Sequence, residues 1–170
     1  SKLMGEYEIE LANKMGKIQT GILRLHNVYG PPCEISPEKS QVIPSLIRKL
    51  IYNEEFIVWG SGEQKRAFVY VDDVVRGIVK YIQSGFGSGC IQLSSSESIS
   101  ISDIAKKLIS ISNKKVSIIY DNSKPEGDKD RIGDISKAKN ILDWEPLTNL
   151  DDGLKLTYKW VEDLMNKQLK

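Results

Sequence analysis

Histidine occurs once in these 170 residues and cysteine twice, and that scarcity removes two kinds of chemistry. Cys33 and Cys90 cannot build a disulfide framework, and with a single histidine there is no metal-ligand cluster. An excess of either charge is lacking too: 24 basic residues stand against 23 acidic ones, a net charge of +1. Such a balance gives no electrostatic footprint for nucleic acid or for an anionic membrane. No apolar run approaches the length that spans a bilayer, and no signal-peptide pattern opens the chain. Glycine is never spaced as G-x-x-G-x-x-G behind a strand, the arrangement that cradles a dinucleotide pyrophosphate. The expectation is a protein of a reducing cytoplasm, with neither nucleic acid, membrane nor metal as a partner.

What is present is ordinary for a globular protein, with 40% hydrophobic and 28% charged residues, enough to bury a core. Residues 2–15 have a helical stripe of Leu3, Tyr7, Leu11 and Met15, closed by Gly16. Ile18 to Leu25 read as a strand, broken by Pro31 and Pro32 into a loop that runs to about Ser40. A helix over 42–51 must start close to Pro44. Strands are expected at 56–59, 67–71, 90–93 and 116–120. Between them lie a helix capped by Asp72 or Asp73 that buries Val74, Ile78 and Ile82, and a helix opened by a Ser100/Asp103 capping box, with Ile104, Leu108 and Ile109 as its apolar positions. A polar loop covers 122–133. Asp134 caps a short helix, and Asp151 starts a last one that buries Leu154, Tyr158, Val161 and Leu164 or Met165. Strands alternating with helices, with no linker and no repeat, indicate an α/β fold without a confident internal boundary over 1–170.

Four segments carry chemistry. They are S-K-L-M-G-E at 1–6, R-L-H-N-V-Y-G-P at 24–31, V-W-G-S-G-E-Q-K-R-A-F-V-Y-V-D-D-V at 58–74 and K-P-E-G-D-K-D-R-I-G-D at 124–134. L-D-W-E-P at 142–146 and G-L-K-L-T-Y-K-W at 153–160 follow. In this order and approximate spacing the set resembles the extended short-chain dehydrogenase/reductases, the NAD-dependent epimerase/dehydratase family that remodels nucleotide sugars. The closest look is to its GDP-sugar branches. The resemblance spans essentially the whole chain and implies the C-terminal portion of an extended Rossmann-type enzyme. Mixed short sheets and packed helices would form the substrate-binding region, together with the last elements of the Rossmann domain.

In that family a tyrosine four residues before a lysine exchanges the sugar's hydroxyl proton. The lysine lowers the tyrosine's pKa and holds the nicotinamide ribose. Lys2 matches the lysine, and the tyrosine's place falls before Ser1. The resemblance therefore implies NAD or NADP in a full-length enzyme and none for this piece alone. The expected partners are a nucleotide-diphosphate sugar, a missing N-terminal dinucleotide-binding half, and a second copy of the chain. Asn27 matches a residue that reaches the diphosphate or sugar, and Arg66 and Arg131 match arginines aimed at the diphosphate, where a guanidinium gives permanent bidentate contacts. Lys49 matches a lysine that adds charge there.

Each of these has a plainer reading. Lys2 and Lys49 are also ordinary solvated lysines, Asn27 an ordinary turn former, and Arg66 and Arg131 ordinary surface arginines; the ordered set of segments is what favours the ligand roles. Ile57 to Gly62 would line the base pocket, while Gly60-Ser61-Gly62 is equally a bare hairpin turn. Glu38 and Lys39 resemble an E-K pair of one branch. Pro32 and Cys33 stand where the fucose-synthase branch carries a proton-donating histidine, and Cys33 reads as a loop cysteine. Arg24 reads as buried and structural, His26 as packing. The alternative function is a non-catalytic module that keeps the nucleotide-sugar pocket.

Overall fold

The structure is a computed structural model and describes residues 1–16 and 18–168. Helix α1 (Lys2–Lys14) leads to strand β1 (Ile22–Leu25), the short β2 (Val28–Tyr29) and α2 (Val42–Tyr52). Strands β3 (Ile57–Trp59), β4 (Lys65–Arg66) and β5 (Val69–Tyr70) precede α3 (Val71–Ser84). Then come β6 (Cys90–Leu93), β7 (Ile99–Ser100), α4 (Ile101–Ser112), β8 (Ile119–Asp121), β9 (Asp130–Arg131), α5 (Ser136–Leu142) and α6 (Leu150–Gln168). Strands pair in short sets, parallel in β1–β6, β2–β5, β3–β8 and β4–β9, with β7 antiparallel to β4. The expected α/β class is observed.

Two cores form. One gathers Ile43, Leu46, Ile47 and Leu50 of α2, Ile104 and Leu108 of α4, and Leu154, Val161 and Met165 of α6 around Phe56 and Val58. The other packs α3 and α5 on β1 and β6, with Ile91, Leu93, Tyr81, Leu142 and Trp144 at its centre. Strand β5 joins them by alternation, because Val69 belongs to the second core and Tyr70 to the first, as a period of two requires. Helices α2, α4 and α5 end on Asn53, Asn113 and Asp143 in the left-handed region, with φ of 56°, 55° and 46°. Asn and Asp tolerate that conformation best after glycine.

Several expectations are corrected. The first strand covers only Ile22–Leu25, and the segment expected as one strand over 67–71 is split: Val71 already opens α3. Neither Asp72 nor Asp73 caps α3; its N-cap is Tyr70 without a side-chain bond. Asp73 instead turns inward, accepting from Leu147 N at 3.0 Å, Thr148 N at 2.9 Å and Arg76 Nη2 at 2.6 Å. Its backbone carbonyl accepts from Trp144 Nε1 at 2.8 Å. This clamp fastens α3 to the chain that enters α6. Ile82 is exposed, and Tyr81 takes the buried place. Strands β2 and β9 lie within segments expected as loops, and the strand expected over 116–120 runs from Ile119 to Asp121. The last helix starts at Leu150, where Asn149 Oδ1 accepts from Asp152 N at 2.9 Å. Asp134 is not the N-cap of α5, which is Ile135 without a side-chain bond. It accepts from Ser136 N at 2.9 Å in the turn just before the helix, whereas Ser100 caps α4 as expected, its hydroxyl accepting from Asp103 N at 3.0 Å.

Helix α1 has the expected stripe, but nothing described covers it. Leu3, Tyr7, Leu11 and Met15 are 49%, 58%, 59% and 57% exposed. Arg24, expected buried, is exposed and binds Glu6 through two nitrogens, at 2.9 and 2.6 Å, so it ties β1 to α1.

Candidate functional site

A cavity of about 470 Å³ opens between α2, β3 and the extended segment through β4. Its wall includes Asn27, Glu38, Lys49, Ile57, Trp59, Gln64, Arg66, Phe68 and Glu126. Three of the five residues singled out in the sequence, Asn27, Lys49 and Arg66, thus converge from three separate segments. Lys2 and Arg131 are not on this wall.

The local fold explains the convergence. Parallel pairing of β2 with β5 sets Asn27 beside the chain that continues β4, and Asn27 Nδ2 donates to Ala67 O at 2.9 Å. One amide hydrogen of Asn27 has no partner among the described residues and stays available for a ligand. Lys49 lies in the last turn of α2, and its Nζ donates to Ile57 O at 2.9 Å, so the ammonium is held against β3. Burial, with the Arg48 charge beside it, moves the Lys49 pKa below the ordinary lysine value. A bound anion would reverse that cost by supplying an opposite charge.

Arg66 gives Nη1 to Lys65 O at 2.6 Å and to Asp128 O at 2.7 Å, and Nη2 to Glu126 O at 3.3 Å. The guanidinium therefore pins the 126–128 loop, and its remaining N–H donors are unused among the described residues. Arg131 is the register partner of Arg66 in the β4–β9 pair, its side chain exposed and paired with Asp128. Adjacent parallel strands lie about 4.8 Å apart, so the two arginines are neighbours on the central strand and on one outer strand of the β7-β4-β9 sheet, although one alone lines the cavity. Lys2 is the first residue of α1, exposed.

The rim holds what the sequence reading left unassigned. Trp59 is 56% exposed, with Lys124 Nζ 5.9 Å from its ring centroid. Glu126 accepts from Ser61 N, and that bond takes its carboxyl below the usual range. Gly60 has φ of +68°, and a Cβ there would lie 2.1 Å from Glu126 Cγ, so glycine is required at this turn. Gln64, Ser40 and Arg48 also line the cavity. A period-two reading of 64–68 would have put Gln64 on the same side as Arg66.

The other positions play structural parts. Glu38 reaches the cavity, while Lys39 does not line it. Cys33 packs against the first core, and burial, followed by the Glu34 charge, pushes its thiol up to about 11, which suits a packing residue and not a proton donor near neutrality. His26 bonds Gln92 Oε1 at 2.8 Å, and a Cβ on Gly133 would meet its Nε2 at 2.6 Å, so it packs as expected.

A larger cavity of about 600 Å³ lies between Tyr29, the 95–99 loop and the 146–151 segment. Its cation, Lys107, is paired with Asp151 at 2.6 Å. None of the anion-binding candidates reaches it.

The family model described as NAD dependent epimerase/dehydratase matches residues 1–90. A dTDP-4-dehydro-6-deoxy-D-allose reductase of Streptomyces bikiniensis is 30% identical over 94% of this chain and 48% of its own length. A GDP-mannose 3,5-epimerase of Arabidopsis thaliana is 30% identical over 98% of this chain and 44% of its own. A UDP-glucose 4-epimerase of Thermotoga maritima, solved with UDP-glucose, superposes with a TM-score of 0.88 at 30% identity, covering 99% of this chain and 53% of that one. The chain spans about half the length of the curated relatives it matches. No helix among the described residues is long and apolar enough to cross a membrane.

Proposed function

The chain belongs to the NAD dependent epimerase/dehydratase family, and from that premise we propose that it is the nucleotide-sugar-binding part of an NAD(P)-dependent epimerase, dehydratase or reductase acting on a GDP-sugar. The observation that carries this reading is the joining of Asn27, Lys49 and Arg66 on one cavity wall. An amide donor, an ammonium and a guanidinium are suited to a diphosphate, and the cavity is about the size that small-molecule sites have. Arg131, beside Arg66 on the neighbouring strand β9, adds a second guanidinium once it leaves Asp128.

In this reading the sugar's reacting hydroxyl faces the place of the family tyrosine, and Lys2 is the charge that makes that tyrosine a base. Bound NAD(P) would supply the hydride exchange. Lys2 is the one site residue here that the family resemblance assigns to it, and a glycine-rich cradle would come from a dinucleotide-binding half outside these 170 residues. The bare stripe of α1 and the two-stranded β1–β6 sheet, open at its edges, support a covering half of that kind. The protein would act in the cytoplasm, with the chain inactive alone.

Titration calorimetry of the chain with GDP-mannose, UDP-glucose and NAD tests the proposal. Nucleotide sugars should bind with a defined site while NAD gives none. Absence of nucleotide-sugar binding at a concentration of about a millimolar would refute it.

A further inference from the structure

Three buried side-chain atoms have no hydrogen-bond partner among the described residues: Ser40 Oγ, Arg48 Nε and Gln64 Oε1. All three belong to residues that line the 470 Å³ cavity. Buried polar atoms without partners are rare, because they give up water and gain nothing in return. Gln64 is the most enclosed, at 8% exposure. Its Nε2 donates to Trp59 O at 3.1 Å. That carbonyl only accepts, so the amide orientation is settled and Oε1 is the atom left over. The Gln64 backbone is held as well, its carbonyl accepting from Ile101 N at 3.2 Å.

The position of Gln64 along the cavity follows from the strand. Lys65 N donates to Lys129 O, Ala67 N to Arg131 O and Val69 N to Asn27 O. The segment is therefore extended, and Gln64, Arg66 and Phe68 fall on one side at steps of about 7 Å. All three line the cavity. Asn27 stands at the Phe68 end through its bond to Ala67 O, and Gln64 stands with Trp59 at the other. A nucleotide sugar with its diphosphate on Arg66 and its sugar towards Asn27 has its base at Gln64.

Although Oε1 is closed to solvent in the unliganded chain, we propose that the Gln64 side chain yields to a bound nucleobase and that Oε1 then accepts a hydrogen bond from an N–H on its edge, which makes Gln64 a base-selecting residue. The proposal rests on the nucleotide-sugar reading of this cavity and names one contact within it. Uracil is the cleanest probe, since N3–H is the only donor on its edge and methylation removes it. UDP, 3-methyl-UDP and inorganic pyrophosphate are titrated into the wild-type chain and into Gln64→Leu, with GDP against 1-methyl-GDP as a parallel arm.

Methylation should weaken binding to the wild type about ten-fold. Gln64→Leu should lose a similar factor for UDP, lose little further on methylation, and bind pyrophosphate unchanged. Equal binding of the methylated and parent nucleotides by the wild type overturns the proposal, and that arm decides alone if Gln64→Leu does not fold. Loss of pyrophosphate together with nucleotide in a folded variant also overturns it, because the cavity as a whole would then have changed. If the wild type binds pyrophosphate but no nucleoside diphosphate, base recognition here is wrong. If it binds neither, the nucleotide-sugar reading itself falls.

Discussion

Replacing Arg66 with alanine separates two jobs that the structure gives to one guanidinium. Towards the protein, Arg66 holds the carbonyls of Glu126 and Asp128 at 3.3 and 2.7 Å. These bonds are partly solvated, so their loss should lower stability by at most about 1 kcal/mol, a fall of about 2–4 °C in Tm for a domain of this size. Towards a ligand, the unused N–H donors offer charge-assisted bonds worth about 1.5–3 kcal/mol. Arg66→Ala should therefore weaken nucleotide-sugar binding about ten- to a hundred-fold. Arg66→Lys should recover part of that, since an ammonium keeps the charge but not the fork. Arg131→Ala should act on the same ligand from the neighbouring strand, and the double variant should then depart from additivity. Calorimetry with GDP-mannose, run beside thermal melts, reads both jobs. Affinity unchanged by Arg66→Ala, or strictly additive losses in the double variant, would refute a shared diphosphate site.

Three further outcomes follow from the same geometry. Burial raises the carboxyl pKa of Asp73, but the N–H groups of Leu147 and Thr148 and the Arg76 guanidinium outweigh it, so the net shift is downward. A lowered folded pKa contributes stability above the unfolded value of about 3.9, lost as pH falls through the folded one. Asp73→Asn should therefore cost about 2–3 kcal/mol at neutral pH and flatten the acid limb of stability in urea melts taken from pH 7 downwards; a steep acid limb retained by the variant would contradict the clamp. A Cβ on Gly153 would lie 2.1 Å from Tyr29 Oη, and Tyr29 is fixed by ring contacts to Phe68 and Tyr70 at 6.2 and 5.5 Å, so Gly153→Ala should destabilise by about 1–3 kcal/mol, checked by thermal denaturation. In a chain extended upstream by a dinucleotide-binding half with its tyrosine, Lys2→Met should lower turnover about a hundred-fold or more with circular dichroism unchanged; near-normal turnover would remove Lys2 from the reaction.

Helices and their buried faces were legible because period and side-chain type are local. Leu154, Tyr158, Val161 and Met165 are buried on α6, and Ser100 caps α4, as the pattern requires. Asp73 was misread because a carboxylate at a helix start caps it by default, and only the distant 144–148 segment makes an inward turn worthwhile. Arg24 was misread because its apolar neighbours suggest burial, whereas its partner Glu6 lies on another element. At the site, Asn27, Lys49 and Arg66 were found through motif resemblance. Gln64 was not, because its significance is an unpartnered oxygen, which no local sequence pattern reports. The exposed stripe of α1 has the right period for burial and nothing described to bury against, since periodicity specifies a face and not its occupant.

The most direct test of the central claim is an amide chemical-shift titration of the isotope-labelled chain with GDP-mannose. The account predicts that the perturbed residues cluster at Asn27, Lys49, Ile57 to Arg66 and Glu126, around the 470 Å³ cavity. Perturbations confined to the larger cavity at Ser95 to Ile99 and Leu147 to Asp151, or no perturbation at saturating ligand, would contradict it.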